Sequence, residues 1–217
     1  MHIEILVEDA SGAKLLEAVL PKLLGEQGDP HTWRVHSYKG IGRIPKNLNA
    51  GADPTKRILL DQLPRILRGY GNTPGIDAAV VVLDSDRRNC VTFLTELKAL
   101  AAACNPAPNT LFRLAIEEVE AWYLGDRQAL QTAYPRAKAD GLGRYAQDSV
   151  CGTWEVLADA VYPGGSAAIN KAGWPLPGQI KYEWAEKIGP LLQPDRNLSS
   201  SFGKLRDGLR RLVAEAA

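Results

Sequence analysis

The stretch from Val80 to Asn89, VVVLDSDRRN, constrains the fold of this chain more than any other. Val80, Val81, Val82 and Leu83 form a continuous apolar run without the polar alternation of a half-exposed strand. Such a run suits a parallel strand buried on both faces. A strand of that kind needs other strands beside it and helices above and below. It ends abruptly in Asp84 and Asp86, with only Ser85 between them. Two carboxylates at the tip of a core strand repel each other and lose hydration, so something positive must sit nearby.

The flanking sequence supplies the expected partners. His2–Val7 reads as a short Ile-rich strand. Ser11 is a plausible N-cap for a helix carrying Leu15, Leu16, Val19, Leu20, Leu23 and Leu24 to a stop at Gly25. His31–Tyr38 alternates weakly and reads as a second strand, and Lys39–Pro54 as a loop rich in Gly, Pro and Asn. Thr55–Tyr70 has a helical stripe interrupted by Pro64. Ala78–Leu83 is the third strand, Val91–Cys104 a helix, Thr110–Ala115 a fourth strand and Glu117–Tyr134 mostly helix.

Alternating strands and helices predict an α/β fold, a parallel sheet of about four strands flanked by helices. After Tyr134 the pattern changes. Two loops rich in Gly and Pro surround helical segments near Thr153–Val161, Gln179–Leu192 and Ser200–Ala214, with no strand and no repeat. The expected division is an α/β domain over 1–134 and a helical C-terminal subdomain over 135–217. Trp154, Trp174 and Trp184 read as packing anchors for the helical part.

A chain of 217 residues buries a sizeable core, and its formal net charge of +1 gives no global attraction to nucleic acid or membrane. Cys90, Cys104 and Cys151 are widely spaced, with no CxxC pair for zinc. An odd thiol count and a start, MHIEILVEDA, that meets acid early fit a reduced cytoplasmic protein without a signal peptide. No apolar run approaches the roughly 20 residues of a membrane span. His31 and His36 would face opposite ways on a strand and do not form a metal pair.

In an open parallel sheet, function gathers at the carboxyl ends of the strands. The first strand places Glu8 there, and the third places Asp84 and Asp86. If the two strands are neighbours, three carboxylates converge. The usual compensation is a hard divalent cation with oxygen ligands, Mg²⁺ or Mn²⁺. A D-x-D after a strand also arises as a helix cap with a solvated neighbour, and Asp9 is more simply a turn or cap residue. In IEEVEAWYLGD, Glu117 and Glu120 would share a helical face, with Glu118 beside Trp122. Glu118 or Glu120 could complete the acidic set, although acids in a first helical turn also favour the helix dipole. Trp122 reads as core.

These residues resemble the Toprim domain of topoisomerases, primases and the overcoming-lysogenization-defect nucleases, which has a strand-end Glu before a helix and then a strand-end D-x-D. More specifically, LVED, VLDSD, IEEVEAWYLGD, KYEWA and NLSSSF resemble a family of small bacterial Toprim-like proteins, often encoded beside ATPases in phage-defence loci. The resemblance implies a Toprim-like sheet and a metal held by Glu8, Asp84 and Asp86, with Glu8 as ligand or general acid/base; Glu120 is added as a metal ligand from its place after the fourth strand. It also places Lys181 in the C-terminal signature. The chain departs from the pattern at Asp9, where Gly is usual, and at Gly12, where many nuclease-type members carry another acid.

Phosphate chemistry would draw on Arg87 and Arg88 beside the D-x-D, on Lys39, Arg43 and Lys46 in the loop, and on Lys181. No nucleotide-binding GxxxxGK[ST] occurs. In the last helix, Lys204, Arg206, Arg210 and Arg211 lie off the apolar face; they read as a solvated face or a DNA-contacting one. The leading expectation is a Mg²⁺-dependent nuclease acting on DNA rather than RNA, with an ATPase as partner. The alternatives are a degenerate Toprim subunit that only binds the ATPase, and a D-x-D phosphatase. The phosphatase ranks last, because Asp84 comes late in the chain and RRNC follows it.

Overall fold

The computed structural model describes residues 1–48 and 53–215. Residues 49–52 of the expected Lys39–Pro54 loop lie outside the described residues. Four parallel strands form one sheet in the order β2-β1-β3-β4. They are β1 (His2–Val7), β2 (Thr32–Ser37), β3 (Ala78–Asp84) and β4 (Asn109–Ala115). Every residue of β3 from Ala78 to Leu83 is buried, as a central strand covered on both faces must be.

Side-chain alternation sorts the strands onto two cores. Ile3, Ile5, Val7, Ala78, Val80 and Val82 face α1 (Ala10–Leu24) and the helices of the C-terminal part. Leu6, Ala79, Val81, Leu83, Phe112 and Leu114 face α2 (Leu59–Gly71) and α3 (Cys90–Ala102). The C-terminal part contains α4 (Glu120–Gly125), α5 (Arg127–Ala133), α6 (Ala139–Arg144), α7 (Thr153–Val161), α8 (Gly165–Ala172), α9 (Leu176–Ile188) and α10 (Ser200–Ala214). Trp184 of α9 and Phe202, Leu205 and Leu209 of α10 share one core with α1 and the strands. Trp122 is wholly buried edge-on to Phe202, with ring centroids 5.5 Å apart.

Several local expectations change. Asp9, not Ser11, caps α1: its carboxylate accepts from Gly12 N at 2.7 Å and from the Ser11 hydroxyl. The helix expected from Thr55 begins at Leu59, because Arg57 adopts a left-handed φ of 51° after a short 3-10 turn. The segment from Glu117 to Tyr134 is two helices, broken where Asp126 caps the second. Helices α6 and α8 occupy stretches expected to be loops. Their Gly-rich sequences bury too few side chains to leave a periodic signal: Gly165 and Ile169 in α8, and none in α6. Trp174 is no packing anchor. It is 85% exposed, and its ring rests beside Gly178. Among the described residues no helix is long and apolar enough to cross a membrane.

Candidate functional site

Strands β1 and β3 are neighbours, with Val7 in register with Val82. Asp84 is in register with Ala115 of β4. Three strands therefore run out together, and the acids that follow them meet at one edge of the sheet. Three hydrogen bonds fix the turn beyond β3. Ser85 N donates to Ala115 O, Asp86 N donates to Glu117 O at 2.9 Å, and Glu117 N donates to the Ser85 hydroxyl at 2.8 Å. Ser85 is thus a buried clamp between the two strand ends.

The two aspartates of the D-x-D are not equivalent. Asp84 is partly buried, and its Oδ1 accepts from Val119 N at 3.1 Å. Burial pushes its carboxyl well above the usual range, and the negative charges of Glu8 and Glu120 push the same way. Asp86 sits at a left-handed φ of 47°, turned to solvent, and Arg88 Nη1 donates to it at 2.7 Å. The Arg88 guanidinium also lies over the Phe93 ring, 5.0 Å from its centroid. Arg87 is exposed.

Glu8 leaves β1 beneath the following loop, where Gly40 N donates to Glu8 O at 3.1 Å. Its carboxyl is raised to about 7, first by burial and then by Asp86 and Asp9. Lys39 and Arg43 are exposed on that loop. Lys39 N donates to Arg57 O, and Arg43 N donates to Asp61, so it is their backbones that order the loop.

The segment after β4 departs from the expected helical face. Glu117 precedes α4 at a left-handed φ of 59° and turns away from the edge. Its carboxylate takes the amides of Cys151, Gly152 and Thr153 and the Thr153 hydroxyl, and so closes the start of α7. It is Glu118 and Glu120 that stay at the edge. Lys181, brought in by α9, stands 3.4 Å from Glu118 Oε1 and 3.5 Å from Glu120 Oε1. Burial pulls the lysine's affinity for its proton down, but Glu120, Glu118, Asp84 and Asp9 together outweigh that and hold it charged. Its ammonium also lies 5.9 Å from the Trp154 ring centroid. Part of the missing positive charge is therefore the chain's own.

One lysine does not satisfy the set. Glu8 Oε2, Glu118 Oε2 and Glu120 Oε2 are all buried without a hydrogen-bond partner. So is the hydroxyl of Tyr123, a residue that sequence reasoning missed because a buried tyrosine in an apolar helix looks like core. Burial, and then Glu120, raise Glu118 to about 7. Burial raises Glu120 in the same direction against the pull of Lys181. Carboxylate oxygens without donors are the chemistry of a hard divalent-cation site, and in that respect Glu8 and Glu120 fit one, with Asp84 close enough to feel both charges. Among the described residues no group of three or more His, Cys, Asp or Glu is already gathered as a ligand set. Loading an ion would thus require these side chains to converge.

At the opposite end of β1, the buried Glu4 stands 2.5 Å from His36 Nε2 and 3.2 Å from His2 Nε2. A lone acid inside an apolar strand leaves no pattern that marks it as buried. Comparison with protein-family models, with curated proteins and with solved structures gives no match to this chain.

Proposed function

We propose that the carboxyl edge of the sheet is a metal-dependent centre for phosphodiester cleavage, acting on nucleic acid. The observation that carries this reading is the set of unpartnered buried oxygens on Glu8, Glu118 and Glu120, with a single lysine beside the last two. Glu8, Asp84 and Glu120 would hold Mg²⁺ or Mn²⁺, with the exposed Asp86 at the rim. The ion would polarise a scissile phosphate and lower the pKa of bound water. Lys181 holds Glu118 and Glu120 in place and offers a fixed positive charge to an oxyanion forming beside them. Arg87 and Arg88 flank the same edge on the solvent side. On this reading the substrate is DNA before RNA, and an ATPase would be a second chain supplying grip or timing.

A second reading, a subunit that binds such an ATPase and performs no chemistry, draws on Gly12. A Cβ there would stand 2.7 Å from Val7 Cγ2, so helix α1 packs too closely on β1 to admit a further acid at that position.

One experiment separates the two. Plasmid and single-stranded DNA are incubated with the wild type and with Asp84→Asn, with Mg²⁺, with Mn²⁺ and with chelator. The nuclease reading expects metal-dependent cleavage by the wild type and a loss of roughly 100-fold or more in the variant. Equal rates for the two proteins, or no cleavage under any condition, would leave the binding reading in its place.

A further inference from the structure

A groove of about 310 Å³ lies between α3 and α10, over the free edge of β4. Its apolar wall includes Leu94 and Phe112, and its cations are Arg113, Lys204 and Arg211. Lys204, Asp207, Gly208 and Arg211 recur at helical spacing, which puts them on one stripe of α10.

Arg113 is built into the groove rather than left on its surface. Its Nε donates to Lys204 O at 2.7 Å and its Nη1 to Phe112 O at 2.7 Å. The guanidinium occupies the space where a side chain at position 208 would be, with Nη2 only 2.0 Å from where a Cβ would stand. Gly208 is therefore the condition for the arginine being there at all. Burial depresses the Arg113 pKa, and the neighbouring Arg211 depresses it further. Asp207, the acid in the lining, is already held by Arg206 Nε at 2.7 Å. A cationic groove with an apolar wall and its own acid engaged elsewhere is complementary to a polyanion that also carries flat apolar groups.

We infer that this groove is a track for a single nucleic-acid strand, with Arg113, Lys204 and Arg211 on the phosphates and a base against the half-buried Leu94. This rests on the reading of the carboxyl edge as a nucleic-acid-cleaving centre. The geometry connects the two places. Cys90 and Ile116, at one end of the groove, follow closely on Asp86 and on the end of β4. A strand lying along β4 would thus be led toward the acids while its phosphates are held on cations. The track also explains how a chain of net charge +1 would engage a polyanion: by a local cationic stripe rather than a global field.

The test uses the full chain carrying Lys204→Glu and Arg211→Glu, two exposed positions away from the acidic edge. Arg113 is left intact because its loss would disturb packing. A fluorescently labelled oligothymidylate is titrated at several salt concentrations, and hydrolysis of bis(p-nitrophenyl) phosphate is followed in parallel. The expected result is binding weakened by about 10-fold or more and a salt slope shallower by about 2, as for two lost phosphate contacts. Hydrolysis of the small ester should stay at the wild-type rate. Unchanged oligonucleotide affinity and slope would overturn the track. So would failure of the wild type to bind oligothymidylate at all, and so would a parallel titration in which labelled polyglutamate alone binds and the two substitutions abolish it, which would make the groove a dock for an acidic protein segment. A wild type that binds the oligonucleotide through this stripe but hydrolyses no ester keeps the track and refutes the cleaving centre.

Discussion

Two sets of wholly or partly buried acids behave in opposite ways in this chain. Glu117, Asp126 and Asp148 are surrounded by donors. Asp126 takes Arg196 through Nε and Nη2 at 2.9 Å each, and the amides of Ala129 and Gln193. Asp148 takes the hydroxyls of Ser199 and Ser200 and the amide of Ser201. Burial by itself raises all three, yet those hydrogen bonds outweigh it and hold each acid below its ordinary value. Glu8, Asp84 and Glu118 are partly buried and Glu120 wholly so, but with few donors and with one another as neighbours, and all are raised. The supply of N–H and O–H groups sets the two apart. In the first set, Glu117 ties the start of α7 to the end of β4, and Asp126 and Asp148 tie segments of the C-terminal part to one another. The second is left electrostatically unfinished at the place where a parallel sheet presents its ligands.

The sharpest way to break this comparison is to remove a satisfied acid. Asp126→Ala leaves the amides of Ala129 and Gln193 without their acceptor and frees Arg196. The loss should be roughly 3 kcal/mol, read from the denaturant midpoint. Glu117→Ala opens the start of α7 and should cost about 2 kcal/mol by the same measurement. If either substitution proved neutral, the satisfied set would be as dispensable as the unsatisfied one, and the contrast would be lost.

How far these two sets could be read in the sequence follows from what each depends on. Strand β1, helix α7 and helix α10 coincide with their sequence expectations, because each is set by a local apolar pattern. Glu8, Asp84 and Asp86 were legible for the same reason: an apolar run that ends in acid announces a strand tip. The companions of Glu118 and Glu120 were not. Lys181 reaches them only because α9 folds back against α1 and the sheet core, a tertiary fact with no local trace. The reversal of Glu117 depends on a left-handed φ at a non-glycine residue, which no pattern of apolar positions reveals. Nor does a D-x-D spacing tell which aspartate is buried. Here the bridge from Asp86 to Glu117 turns the second one outward.

The unsatisfied set should respond to pH with the opposite sign. Glu8 is raised from 4.5 to about 7 in the fold, so between those values the native state holds a proton that the unfolded chain has lost. Stability then falls as pH rises through that window, is greatest below it, and levels off above it. The satisfied acids act in reverse: their stabilisation is present above the unfolded carboxylate range and is lost as pH drops below it. Glu8→Gln should flatten the decline between pH 4.5 and 7 and stabilise the metal-free protein by about 1–3 kcal/mol at pH 8. Thermal melts at closely spaced pH values measure it. A variant less stable than the wild type at pH 8 would show Glu8 to be a structural acid.

The smallest expected effect is the most discriminating within the D-x-D itself. Asp86 is exposed, and its partner Arg88 is 37% exposed, so the pair is a surface ion pair of little energetic consequence. Asp86→Asn should shift metal-free stability by less than about 0.5 kcal/mol. It should nevertheless be felt at Glu8, because the charge of Asp86 is the largest contribution after burial to raising that carboxyl. Carbon-detected NMR titration of the glutamate carboxyls should find Glu8 ionising at lower pH in the variant, with Glu118 left where it was. Asp84 sits on the other side of this division, since its Oδ1 holds the Val119 amide and its charge faces Glu8 and Glu120. If Asp86→Asn instead unfolded the protein, or moved Glu118 as much as Glu8, the rim aspartate would belong to the buried set. The edge would then have to be treated as one undivided cluster rather than a buried core of acids with a solvent-facing lip.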